Sequence, residues 1–146
     1  MQTSPHLLPA TTHAQLARAA ESLREAITST DVPARYAHAH VAALRAAAAL
    51  LAARARPTPG SRPQRNAWVL LARVAPELAE WATLFAAGAS KRAAAEAGSR
   101  RAVTEREADD LIREADRFLA VVETSLGLAP HARIEQQLPW RAAAGA

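Results

Sequence analysis

Apolar side chains recur along this chain three and four residues apart, the spacing that puts them on one face of a helix, and no stretch alternates as a strand would. Leu16, Ala20, Leu23 and Ile27 form a first stripe. The pattern opens at Thr12 with Gln15 three residues on, a capping-box spacing, and stops at Ser29 and Thr30. Asp31 reads as the cap of a second helix, with Pro33 in its first turn, where a missing N–H costs little. That helix is expected to run to about Arg56, burying Tyr36, His40, Leu44, Ala47 and Leu51 and turning Arg35, His38, Arg45 and Arg56 to the opposite side. Pro57, Pro59, Gly60 and Pro63 break the pattern and mark a loop.

Asn66 caps a short helix through Trp68, Leu71 and Ala75. Pro76 ends it and starts another, lined by Leu78, Trp81 and Phe85 and fading towards Gly98. Gly88 lies inside that helix at a cost of about 1 kcal/mol relative to Ala, which suggests close approach of a neighbouring helix. Thr104 and Glu107 form a second capping box. The helix that follows has the cleanest apolar arc: Ala108, Leu111, Ile112, Ala115, Phe118, Leu119, Val122 and Leu126. Gly127 fits a C-terminal stop. The pattern predicts an all-α fold, an antiparallel bundle of four to five helices. Residues 1–11 read as a disordered lead-in, 12–127 as the bundle and 128–146 as a flexible tail.

Composition adjusts this picture in one respect. Alanine supplies 40 of the 146 residues, so helices are favoured but the core rests on few large side chains, with helices meeting closely through alanine faces. Cysteine is absent, which rules out disulfides and thiolate chemistry and fits a cytoplasmic setting. The opening residues do not read as a secretory signal, and no uncharged run approaches the ~20 residues needed to span a bilayer.

Charge is mild in sum, +4, but polarised along the chain. No acid lies between Asp31 and Glu77, an interval holding seven arginines; seven acids fall between residues 105 and 123. Arg45, Arg54, Arg56, Arg62 and Arg65 are therefore the candidate contacts for nucleic-acid phosphates. The competing reading is an arginine-biased surface, and no aromatic residue in that loop offers a base a stacking platform.

Catalytic motifs are scarce. The chain has no P-loop, dinucleotide fingerprint or HExxH. His38 and His40 stand two apart on a helix and point about 200° away from each other, so they cannot share an ion. No metal or other cofactor is expected. His131 and Glu135 have helical spacing but fall in the expected tail. Asp109 and Arg113 read as a solvated i,i+4 pair.

The run Arg35 to Arg45 with the alanine-rich helix after it resembles the second helix of HEPN domains. Trp68 to Leu78 and the closing helix from Glu107 to Leu119 fit the same family, in its small actinobacterial branch, over about residues 12–127. The resemblance implies a bundle, commonly a homodimer, in RNA- or nucleotide-linked processes. Many members are metal-independent ribonucleases, and others are partners of a nucleotidyltransferase. It implies a catalytic signature of Arg, four to six residues, then His, near the start of the last helix. Arg101, Arg106 and Arg113 have no histidine in that interval, which argues for a weakly catalytic or non-catalytic protein. Arg35 and His40 match the bare spacing on the second helix, though a regular helix sets them about 140° apart. They remain the only catalytic candidates, against a buried structural role for His40. A non-catalytic interaction or dimerisation module is the alternative to an RNA-linked function.

Overall fold

The computed structural model describes residues 7–55 and 66–133. It is helical throughout: α1 is Ala10–Thr28, α2 Val32–Arg54, α3 Ala67–Val74, α4 Ala79–Ala87, α5 Ala89–Glu96 and α6 Glu105–Ser125. A 3-10 turn, Pro76–Leu78, leads into α4. Gly88 joins α4 to α5 as one bent helix, so the all-α bundle of four to five helices stands.

Local chemistry accounts for most of the helix ends. The Asp31 carboxylate accepts from the Ala34 N–H with Pro33 in the first turn of α2. Asn66 accepts from the N–H groups of Trp68 and Val69. Thr104 and Glu107 complete a reciprocal capping box at α6. Helices α5 and α6 both end in a left-handed glycine, Gly98 at φ 89° and Gly127 at φ 79°. Leu128 N–H reaches Glu123 O at 2.9 Å and Ser99 N–H reaches Ala94 O at 3.0 Å, closing the last turn each time.

The start of the chain differs from expectation. Helix α1 begins at Ala10 with Pro9 before it and no side-chain cap. Thr12 is not a cap: it is fully buried, and its hydroxyl donates to Ala49 O on α2 at 3.0 Å. Leu8 is buried in the core, so residues 7–11 belong to the fold rather than to a lead-in. A buried hydroxyl satisfied by a neighbouring helix outweighs a local capping pattern.

Helix α2 is the axis of the molecule. It packs against α1, α6, α5 and α3, and Ala39, Ala43, Ala46, Ala47, Ala49 and Leu50 along it are fully buried. Its alanines let α1 and α6 approach closely, so large side chains come from elsewhere. Phe85, Phe118, Trp68 and Trp81 form one aromatic cluster, with Phe85 5.1 Å from both Trp68 and Phe118. Every member of the apolar arc expected on α6 is buried.

Because α2 is enclosed so widely, Arg35 does not face solvent as expected. It is 6% exposed; its Nη2 lies 2.6 Å from Asp109 Oδ1 on α6. Asp109 therefore serves α2 rather than Arg113, which pairs with Asp110 at 3.2 Å.

A second correction concerns the segment after α6. Residues 128–133 lie back against that helix. His131 Nε2 stands 2.5 Å from Asp116 Oδ1, and its Nδ1 2.6 Å from Glu123 Oε1. Arg133 Nε donates to Asp116 Oδ2 at 3.2 Å. Asp116 is fully buried, and these contacts help to satisfy its carboxylate. The expected tail thus begins no earlier than residue 134; residues 134–146 lie outside the described residues.

Candidate functional site

His40 sits where α2, α3 and the bent α4–α5 helix meet. It is 1% exposed. The Trp68 and Phe85 rings stand edge-on to it, at 6.1 and 6.4 Å. Its Nε2 lies 2.9 Å from Phe85 O. A carbonyl only accepts, so Nε2 carries the proton, and Nδ1 of the neutral ring presents a lone pair. Burial lowers the pKa of His40 from its ordinary value, and the nearby Arg92 charge acts in the same direction. The bond to Phe85 and the Glu96 charge oppose them.

A cleft of about 390 Å³ opens beside this ring, lined by His40, Leu44, Asn66, Trp68, Ala89 and Arg92 among others. Two polar atoms of its lining residues, His40 Nδ1 and Arg92 Nε, are closed to solvent and have no hydrogen-bond partner among the described residues. One is an acceptor and the other a donor. Arg92 Nη1 meanwhile holds Glu96 Oε1 at 3.2 Å across one helical turn.

Gly88 makes this junction possible. A Cβ there would lie 2.6 Å from the Tyr36 hydroxyl and 3.5 Å from a His40 ring carbon. The glycine inside the helix thus marks the close approach its sequence position suggests. Burial raises the Tyr36 pKa. Lys91 on α5 pairs with Glu107, fastening the bent helix to the start of α6.

Of the two catalytic candidates, Arg35 points to Asp109 and the end of α1, where its Nε donates to Ala26 O at 3.4 Å. His40 points to Phe85 and the aromatic cluster. Each is buried and bonded to a different part of the fold. His38, by contrast, is partly exposed and 3.1 Å from Glu25.

Among the candidate phosphate contacts, Arg45 is half-buried on α2. Arg54 donates to Glu77 at 2.8 Å and to Ser125 O at 3.0 Å. Arg56, Arg62 and Arg65 lie outside the described residues. The acid-free interval is therefore partly neutralised from outside itself, by Asp109 on Arg35 and Glu77 on Arg54.

Sequence reasoning missed Arg92 as a cleft residue and Asp116 as a buried acid. Nothing local marks Arg92. Asp116 was legible: it lies four residues after Ile112 and three before Leu119, inside the apolar arc of α6. No group of three or more metal-ligating side chains gathers among the described residues, and no helix there is long and apolar enough to cross a membrane.

No curated protein and no solved structure matches the chain. The model of the SAV_6107-like HEPN family matches residues 26–123, from the end of α1 almost to the end of α6. That match spans well over half of the chain and takes in the whole of α2 to α5, so the protein belongs to the SAV_6107-like HEPN domains.

Proposed function

We propose that this HEPN domain serves an RNA- or nucleotide-linked process by binding, with weak or no catalysis. The observation that carries this reading is the separate commitment of Arg35 and His40. One is tied to Asp109 and the other to Phe85 O, and a catalytic pair needs both groups turned to one phosphate. A neutral histidine whose Nε2 proton is already donated is poorly placed to shuttle protons at a ribose 2′-hydroxyl. Contact with RNA would then be electrostatic, through Arg45, Arg54, Arg56, Arg62 and Arg65, with Arg54 contributing least because Glu77 competes for it.

The test is incubation of end-labelled RNA with the full chain and with His40→Ala. The expected result is no cleavage above background by either protein. Metal-independent cleavage lost in His40→Ala would instead establish a ribonuclease centred on Arg35 and His40.

A second reading, a dimerisation module in a cytoplasmic complex, has one observation in its favour. Leu84 on α4 is 43% exposed and Trp81, three residues before it, is only partly covered. A homodimer, or a nucleotidyltransferase partner, would cover that side of α4. Sedimentation of wild type against Leu84→Glu separates the two: a dimer that dissociates in the variant supports this reading.

A further inference from the structure

A second cleft, of about 580 Å³, is lined by Val121 and neighbouring residues of α6, by Trp81 of α4, and by Pro130 and Arg133 of the returning segment. We propose that it is the docking site of the chain's own residues 134–141, with Leu138 and Trp140 seated on Val121 and Trp81. The proposal stands apart from the RNA-linked reading and does not rest on it.

The cleft is open and mostly apolar. Trp81 and Val121 pack against the core on one side, yet both remain partly exposed. Every lining residue keeps some access to solvent, so an incoming side chain can touch them. Covering such surface releases water and is favourable.

The chain itself brings the cover. Leu128 bonds to Glu123 O, His131 to Glu123 and Asp116, and Arg133 to Asp116. The returning segment therefore runs back along α6, and residue 134 leaves at the Arg117 end of the cleft. Glu135, Gln136 and Gln137 are polar and suit a reversal; Leu138, Pro139 and Trp140 follow. Pro139 biases Leu138 towards extended backbone, and an extended chain puts residues 138 and 140 on one side. From Arg117 to Ser125 the α6 floor is about 12 Å long, which about four extended residues span. Trp140 brings an indole that gains most from burial. Charge agrees: two arginines and no acid line the cleft among the described residues, and Glu135 is the one acid of residues 134–146. A docked segment would cover Trp81, so a partner approaching that side of α4 would have to displace it.

The experiment labels the full chain with 5-fluorotryptophan and assigns the signals of Trp68, Trp81 and Trp140 by single Trp→Phe variants. Each 19F signal is then followed as a soluble gadolinium chelate is added. The expected result is a Trp140 signal displaced from its position in urea and shielded from the chelate, equally so on dilution. Val121→Glu should return that signal to its urea position while the buried Trp68 signal stays. Trp140→Ala, which leaves the described fold untouched, should make Trp81 more sensitive to the chelate. A Trp140 as accessible as in urea would overturn the proposal. So would an unchanged Trp81 in Trp140→Ala, which would seat the indole elsewhere. Shielding that disappears on dilution would assign the cleft to a second copy and overturn docking within one chain.

Discussion

Tyr36 and Gly88 meet where the bent helix crosses α2, and the contact decides what each position tolerates. Gly88 has a negative φ open to any L residue, φ −88° and ψ −3°, so Ala should help by about 0.4–1 kcal/mol by restricting the unfolded chain. The Tyr36 hydroxyl 2.6 Å from the new methyl reverses that sign, because Tyr36 is buried and overpacking costs about 1–3 kcal/mol. Gly88→Ala is expected to lower stability by about 1 kcal/mol, the balance of the two. Adding Tyr36→Phe removes the clashing oxygen, so in urea melts the double variant should be no less stable than Tyr36→Phe alone. An additive result would disprove the clash. Arg35 supports a second expectation. Arg35→Ala strips a largely buried Asp109 of its partner and should cost about 2–4 kcal/mol, somewhat below the full range for buried pairs because Asp109 is 17% exposed. A residue serving only catalysis would leave the melting curve unmoved.

Among the elements, α6 shows how far a sequence carries a reading. Its capping box, apolar arc and glycine stop were all legible, because each depends on neighbours within one or two turns. Thr104→Ala should therefore lower stability by about 1 kcal/mol, measured by thermal unfolding. Helix α1 misleads for the complementary reason. Thr12 and Gln15 satisfy the capping spacing, yet Thr12 belongs to the α1–α2 contact, which sequence spacing does not encode. The same limit explains Arg35. It begins the stripe Ala39, Ala42, Ala46 and Ala49, all nearly or fully buried, and a helix covered on several sides leaves no polar face to assign. As for the cleft, Trp68, Asn66 and His40 were each legible as a core, cap or core candidate. Their convergence with Arg92 was not, since it depends on the bend at Gly88.

At the scale of the whole molecule, the segment after α6 and two histidines, the buried His40 and the half-buried His131, set how stability responds to length and to pH. A chain ending at Gly127 loses His131 and Arg133 and leaves Asp116 without them. Relative to a chain ending at Arg133, it should melt several degrees lower, as a loss of about 1–2 kcal/mol would dictate in a domain of this size. Equal melting temperatures would show that the segment contributes nothing. The histidines act in opposite directions. The Asp116 carboxylate raises the pKa of His131, with Glu123 adding to it and burial opposing. Its contribution is complete below the ordinary value of 6.5 and disappears as pH rises through the elevated folded value. His40 is lowered, so its contribution is complete above 6.5 and declines as pH falls towards the depressed folded value. Stability should peak near pH 6.5, and His131→Gln should flatten the alkaline side of that profile in calorimetry while leaving the acid side. A matching alkaline decline in the variant would place its origin elsewhere.

The enclosure of α2 also fixes the order in which the molecule opens. Its middle, from Ala39 to Leu50, is covered by four other helices, so no partial fluctuation uncovers those amides without separating the bundle. In deuterated buffer they should exchange last, at a rate set by global unfolding, while the short and largely exposed α5 exchanges early. The helix with the most buried alanines would then serve as the internal clock of the domain: any ligand seated beside His40 should slow its deuterium uptake by the full factor of its binding, wherever else the protein loosens.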